Sequence, residues 1–146
     1  MKFRLSRIDD QWLIHQKSND GTKSVGKITF THPTNPIIHL FTDKIIVSVK
    51  QLNEISKITL TLNEKTELTT SLKQGIQLNR IKWSHPTIPE RKLEVQQKNT
   101  QFFIKNNETN IAQMKVISKT ALSLEILEEG IYNPAIILGS LIPILF

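Results

Sequence analysis

Along most of this chain apolar and polar residues alternate one for one, the two-residue period of a strand with one face buried and the other wet. Phe3 and Leu5 alternate with Lys2, Arg4 and Ser6, and Trp12 and Ile14 follow the turn-prone pair Asp9-Asp10, which predicts an N-terminal hairpin. Ser18-Asn19-Asp20-Gly21 is a turn signal, because Asn, Asp and Gly tolerate positive φ, and a strand through Ile28 and Phe30 follows it. Ile45, Val47 and Val49 alternate, as do Ile58, Leu60 and Leu62 around Thr59 and Thr61. Further strands are predicted at Leu93 and Val95, from Gln101 to Ile104, from Ile111 to Ile117, and at Leu122, Leu124 and Ile126, with Asn106-Asn107 turning one hairpin. Helical periodicity is scarce. The chain therefore reads as mainly β, a single domain over residues 1–146 with its strands between about 2 and 127, arranged as a sandwich or barrel.

Two stretches resemble each other. Lys27-Ile28-Thr29-Phe30-Thr31-His32-Pro33-Thr34-Asn35-Pro36 and Arg80-Ile81-Lys82-Trp83-Ser84-His85-Pro86-Thr87-Ile88-Pro89 both read as a strand ending in a corner stiffened by proline. They are either matching parts of a duplicated half-barrel or two independent corners.

From Ile131 the pattern changes to IYNPAIILGSLIPILF, sixteen residues without a charge, preceded by the turn-like Glu128-Glu129-Gly130. Asn133 before Pro134 is a helix start, because Asn can cap free amides and Pro is pre-shaped for the first helical position. A helix is predicted over about 134–142, with Pro143 ending it. Sixteen helical residues would cover about 24 Å, short of the roughly 30 Å hydrocarbon core of a bilayer. The acidic flank also argues against an anchor. A helix apolar on every side is expected inside the protein's own β-structure.

A sheet-rich chain closed by an apolar helix that starts at Tyr132-Asn133-Pro134-Ala135 resembles the tubby C-terminal-like superfamily, which includes tubby domains, phospholipid scramblases and plant LURP-one-related proteins. The resemblance rests on Gly130 to Leu145 and on the preceding Ala121 to Leu127. It implies an antiparallel β-barrel around a hydrophobic C-terminal α-helix, in a member of bacterial type. The sequence departs from the family in three ways. It stops at Phe146 directly after the helix, its length suggests fewer strands than the usual twelve, and it lacks the cysteine-rich palmitoylated segments of scramblases.

Composition narrows the chemistry. The absence of cysteine removes disulfides, thiolate metal sites and Cys nucleophiles, and with an N-terminus lacking an apolar core it points to a cytoplasmic protein. His15, His32, His39 and His85 show no metal-ligand spacing, although His32 and His85 would converge if the two corners were related by symmetry. No nucleophile elbow, phosphate loop or dinucleotide fingerprint occurs, and Asp9-Asp10 and Glu128-Glu129 read as polar turns. Neither catalysis nor a cofactor or metal is expected. Trp12 and Trp83 read as core residues rather than base-stacking ones.

The formal charge is +6, and residues 1–100 carry sixteen Lys and Arg against nine Asp and Glu. Such a balance favours phosphate-bearing partners. Arg80 and Lys82 lie two apart, so a strand projects both from one face, and Arg91 and Lys92 fold back past Pro86 and Pro89. Together the four are the candidate anion-binding set. The leading expectation is a non-enzymatic binding module for anionic lipid head groups or another phosphorylated ligand, peripheral at the inner face of a membrane, and tubby domains, which bind phosphoinositides, imply the same. The alternative is a protein-interaction module of regulatory or immunity type. Nucleic-acid binding comes third, without a recognised motif or basic-aromatic interleaving.

Overall fold

The computed structural model describes residues 1–32, 35–73 and 79–145, with the side chains of residues 31 and 32 left aside. Twelve strands precede one helix: β1 (Lys2–Ile8), β2 (Gln11–Ser18), β3 (Gly21–His32), β4 (Asn35–Leu40), β5 (Asp43–Leu52), β6 (Ile55–Leu62), β7 (Lys65–Lys73), β8 (Arg80–Ser84), β9 (Lys92–Lys98), β10 (Gln101–Asn106), β11 (Thr109–Ser118), β12 (Ala121–Ile126) and α1 (Pro134–Leu145). Each strand pairs antiparallel with its neighbours in sequence, and β1 pairs with β12 from Lys2 opposite Glu125 to Ser6 opposite Ala121, which closes the barrel. Closure removes the unpaired edges that a sheet would otherwise expose. The turns are built by residues that accept the left-handed conformation, with Asp9, Asn53, Asn63, Asn99 and Asn107 at φ between +47° and +57°.

Alternation now has a physical meaning. Phe3 and Leu5, Trp12 and Ile14, Ile45 and Val47, Ile58 and Leu60, Leu93 and Val95, and Phe102 and Ile104 all face inward and are buried. Eight strands make a barrel that side chains alone can fill, and the bore widens with strand number. A twelve-stranded bore accommodates a helix, which is about 10–12 Å across with its side chains. Here every residue from Ala135 to Ile142 is buried, so α1 is wrapped on all sides. The helix leans on β4, β5 and β6, where a Cβ on Gly139 would stand 3.2 Å from Ile45 Cγ2 and 3.4 Å from Leu60 Cδ2. Larger rings fill the other side, and Trp83 reaches across to donate its indole N–H to the Ser140 carbonyl at 3.2 Å.

Asn133 caps α1 as its sequence suggests: its Oδ1 accepts from the Ala135 amide at 2.8 Å and its carbonyl from Ile136 at 2.9 Å. Its Nδ2 donates to Asp43 at 2.8 Å, and Asp43 also accepts from Asn63 at 2.9 Å, so the start of the helix is tied to two strand turns. This end of the barrel, the cap end, carries the turns at 19–20, 41–42, 63–64 and 107–108 and the loop 85–91. The far end carries those at 9–10, 53–54, 99–100 and 119–120.

Several expectations are corrected. The strand count is twelve, because β4 and β7 escaped the sequence pattern: β4 opens at a proline-rich stretch, and β7 buries only Leu68 and Thr70. Pro36 lies within β4, at a point where the β4–β5 ladder, which starts at Ile37, asks nothing of it. The helix continues past Pro143 to Leu145, since a proline in the last turn forfeits a single backbone bond. The two similar stretches are not halves of a duplication. A half-barrel repeat shifts by six strands and keeps direction, whereas β3 and β8 are five apart and antiparallel in sense. His32 and His85 accordingly stand at opposite ends of the barrel, and the first corner, Pro33-Thr34, falls outside the described residues.

Two outcomes test this packing. Leu138→Asp removes a buried side chain worth about 2–5 kcal/mol and adds an unpaired charge in a dry core, enough to exceed a domain's usual 5–15 kcal/mol, so the variant is expected to lack a cooperative melt by circular dichroism. Deleting residues 1–16 leaves β12 and β3 as open edges, and light scattering is expected to show aggregation where the full chain stays dispersed.

Candidate functional site

The four cations singled out by the sequence take three different positions. Arg80 and Lys82 do project from the same outer face of β8, alternating with buried Ile81 and Trp83. Arg80 is occupied: its Nε donates to Glu94 Oε1 on β9, and Gln96 donates to the same oxygen at 2.9 Å. Arg91 turns toward the cap end, where its guanidinium lies 3.2 Å from Glu67 and 5.5 Å from the centre of the Tyr132 ring. The contact with Glu67 is a close ion pair outside hydrogen-bond angles, since Glu67 Oε2 is buried with no hydrogen-bond partner. Tyr132 donates to the Lys92 carbonyl at 3.3 Å, and burial pushes its phenol above the usual range. Arg91 therefore helps seat the helix start.

Lys82 and Lys92 do come together. With Lys105 they line an open hollow of about 800 Å³ on the outer barrel wall, bounded by Asn107, Glu108 and Thr109 from the β10–β11 turn. The register explains the grouping. Lys82 stands opposite Glu94, Glu94 stands opposite Lys105, and Lys92 stands opposite Ser84 one rung toward the cap end. Three lysines thus reach the hollow from β8, β9 and β10. Lys105 was missed by sequence reasoning because its place depends on strand register; its only local signal is an outward position beside the buried Ile104.

Glu94 sits at the centre of that rung and decides how positive the hollow is. The Arg80 guanidinium holds its carboxyl below the usual 4.5, with Lys82 adding to the effect and partial burial opposing it. At neutral pH the carboxylate is ionised and already engaged, which leaves the three lysines without an ion-pair partner among the described residues.

Among the described residues the histidines form no site. His85 Nδ1 accepts from the Thr87 and Ile88 amides at 3.1 and 3.0 Å, which stiffens the loop, while His15 and His39 lie half-buried in β2 and β4. The side chain of His32 is outside the described residues. Among the described residues no cluster of three or more metal-ligating side chains occurs, and no helix is long and apolar enough to cross a membrane.

Replacing Arg80 by Gln tests the hollow's charge balance. Glu94 in the variant is expected to titrate closer to 4.5, read from the NMR shift of its carboxyl carbon, and an unchanged midpoint would refute the pairing. Because the folded-state value lies below the unfolded one, the pair adds stability above the ordinary carboxylate range and loses it as pH falls through the depressed value. The two proteins should differ in melting temperature near neutrality and converge in acid.

No protein-family model matches the chain, and neither the curated proteins nor the solved structures contain a match to it.

Proposed function

We propose that the barrel is a non-enzymatic binding module for a phosphate-bearing anion, with anionic lipid head groups as the ligand class, and that the Lys82–Lys92–Lys105 hollow is its seat. The observation that carries this reading is the convergence on one open depression of three lysines from three consecutive strands, none of them in an ion pair among the described residues, against two carboxylates, Glu94 and Glu108, of which Glu94 is held by Arg80. Lysine suits the task as a compact point charge that docks on phosphate oxygens without demanding a fixed fork geometry. The resemblance to the tubby C-terminal-like superfamily supports the same reading, since an apolar helix sheathed by a twelve-stranded barrel is the arrangement that resemblance implies. In this reading the protein works in the cytoplasm, peripheral at the inner membrane face.

A protein partner is the second reading. It is favoured by a group of exposed apolar residues at the cap end, Met1, Phe41, Ile88, Leu127 and Ile131, set among acidic turns.

The test is an NMR titration with glycerol 3-phosphate as a soluble head-group probe. Amides of Lys82, Lys92 and Lys105 are expected to shift. At about 1 kcal/mol per cation, the triple Gln variant should bind about 100-fold more weakly with an unchanged melting temperature, and added salt should weaken the wild type. Shifts absent from these strands, or retained in the variant, would overturn the assignment.

A further inference from the structure

The tip of the β5–β6 hairpin, at the far end of the barrel, carries an amphipathic pattern on its outer face. Leu52 and Ile55 are cross-strand partners flanking the Asn53-Glu54 turn, and they are 46% and 43% exposed. One rung behind them Lys50 stands directly opposite Lys57. On the adjoining strand Lys73 pairs with Ile55 and Ser71 with Lys57, so Lys73 joins the same outward patch. Like charges directly opposite each other across a ladder repel. None of the three lysines makes an ion pair among the described residues. Two aliphatic side chains and three unpaired cations therefore share one exposed corner.

We propose that this hairpin tip is a membrane-insertion element: Leu52 and Ile55 enter the head-group and acyl boundary of an anionic bilayer while Lys50, Lys57 and Lys73 meet its phosphates. The proposal rests on the reading of the barrel as a module for anionic lipid head groups and names the part that reaches the bilayer. Spacing supports it. Positions on one face of a strand repeat every two residues, about 7 Å, so Lys50 and Lys57 held at phosphate level place the aliphatic pair about 7 Å deeper, while Lys73, level with Ile55, reaches back to the phosphates along its long side chain. That depth falls within the roughly 5–10 Å to which interfacial apolar faces sink. The charge is complementary to anionic lipid, and a neutral or basic surface would leave the opposed lysines unrelieved.

The element is also stiff. Ser56 donates to Gln51 at 3.0 Å across the hairpin, Asn53 takes the turn at φ +56°, β5 and β6 pair rung by rung out to Leu52 opposite Ile55, and β7 flanks β6 as far as Ile55. Little ordering entropy remains to be lost on binding. Glu54 is the single carboxylate in residues 50–57 and sits at the turn itself, where it opposes approach to an anionic surface.

The test uses the full chain with Leu52→Trp as reporter, since Trp12 and Trp83 are buried and form a constant background. With phosphatidylglycerol-containing vesicles at low salt, the emission of the new indole is expected to shift to the blue and to be quenched by brominated acyl chains, with no change on pure phosphatidylcholine. In vesicle flotation, Leu52→Ser with Ile55→Ser should weaken binding about tenfold and Lys50→Gln, Lys57→Gln and Lys73→Gln together about 100-fold, whereas Glu54→Gln should strengthen it. All these positions are exposed, so melting temperatures should stay within a few degrees of wild type. Glycerol 3-phosphate shifts at Lys82, Lys92 and Lys105 should persist in the hairpin variants, so failure of the hollow and failure of the tip read out separately. An unshifted indole on vesicles that the wild-type protein binds, or wild-type protein that fails to float, would overturn the insertion element, as would a blue shift with duplex DNA and none with vesicles.

Discussion

The helix and the barrel each solve a problem the other creates. A closed ring of twelve strands gives each strand a partner on both sides but encloses a bore too wide for its own inward side chains, and an uncharged helix has nowhere in water to put its surface. Placing one in the other satisfies both, and the fit is specific rather than merely apolar. Gly139 lets the helix approach Ile45 and Leu60, while Trp83 spans the remaining gap and pins the Ser140 carbonyl. Ser140 itself is fully buried and returns its hydroxyl to the Ile137 carbonyl at 2.6 Å, so the dry interior carries no stranded hydroxyl there. The N-terminus of the helix is fixed by Asn133 on Asp43 and by Tyr132 under Arg91, which sets its depth in the bore.

Because the interior is committed to packing, whatever the protein recognises is met by its outer wall and rims. Strand alternation supplies that wall automatically: every second residue faces out, and neighbouring strands lay those residues in rungs. The Lys82–Glu94–Lys105 rung and the Lys50–Lys57 rung arise by the same rule, yet they differ in balance. The first contains a carboxylate that Arg80 neutralises, and the second contains none.

What the sequence revealed and what it concealed follow from range of interaction. Strands such as Phe3–Leu5, Ile45–Val49 and Ile58–Leu62 were legible because burial of one face writes a local period, and Asn133-Pro134 was legible because a cap is a local hydrogen bond. β7 was not, since it buries only Leu68 and Thr70, and Thr70 is accommodated by donating to the Lys82 carbonyl at 2.7 Å. The outward pairing of Arg80 with Lys82 was readable from spacing two apart. That Arg80 would be taken by Glu94, Arg91 by Glu67 and Tyr132, and that Lys105 would join Lys82 and Lys92, depended on register between strands, which leaves no trace in either strand alone.

The order of elements has a consequence for biosynthesis. Eleven of the twelve strand pairings join neighbours in sequence, and only β1 with β12 joins distant segments. The helix follows all twelve strands, so it leaves the ribosome after them. Until β12 emerges a growing meander can extend hairpin by hairpin but has no partner for its first edge, and until the helix follows it has no plug for its apolar concave face. Each nascent chain therefore passes through a stage in which a broad greasy sheet is exposed, for a time set by the translation of β12 and α1, at about 5–20 residues per second. Codon choice and chaperone supply over that last stretch act on yield without altering a single contact in the finished barrel.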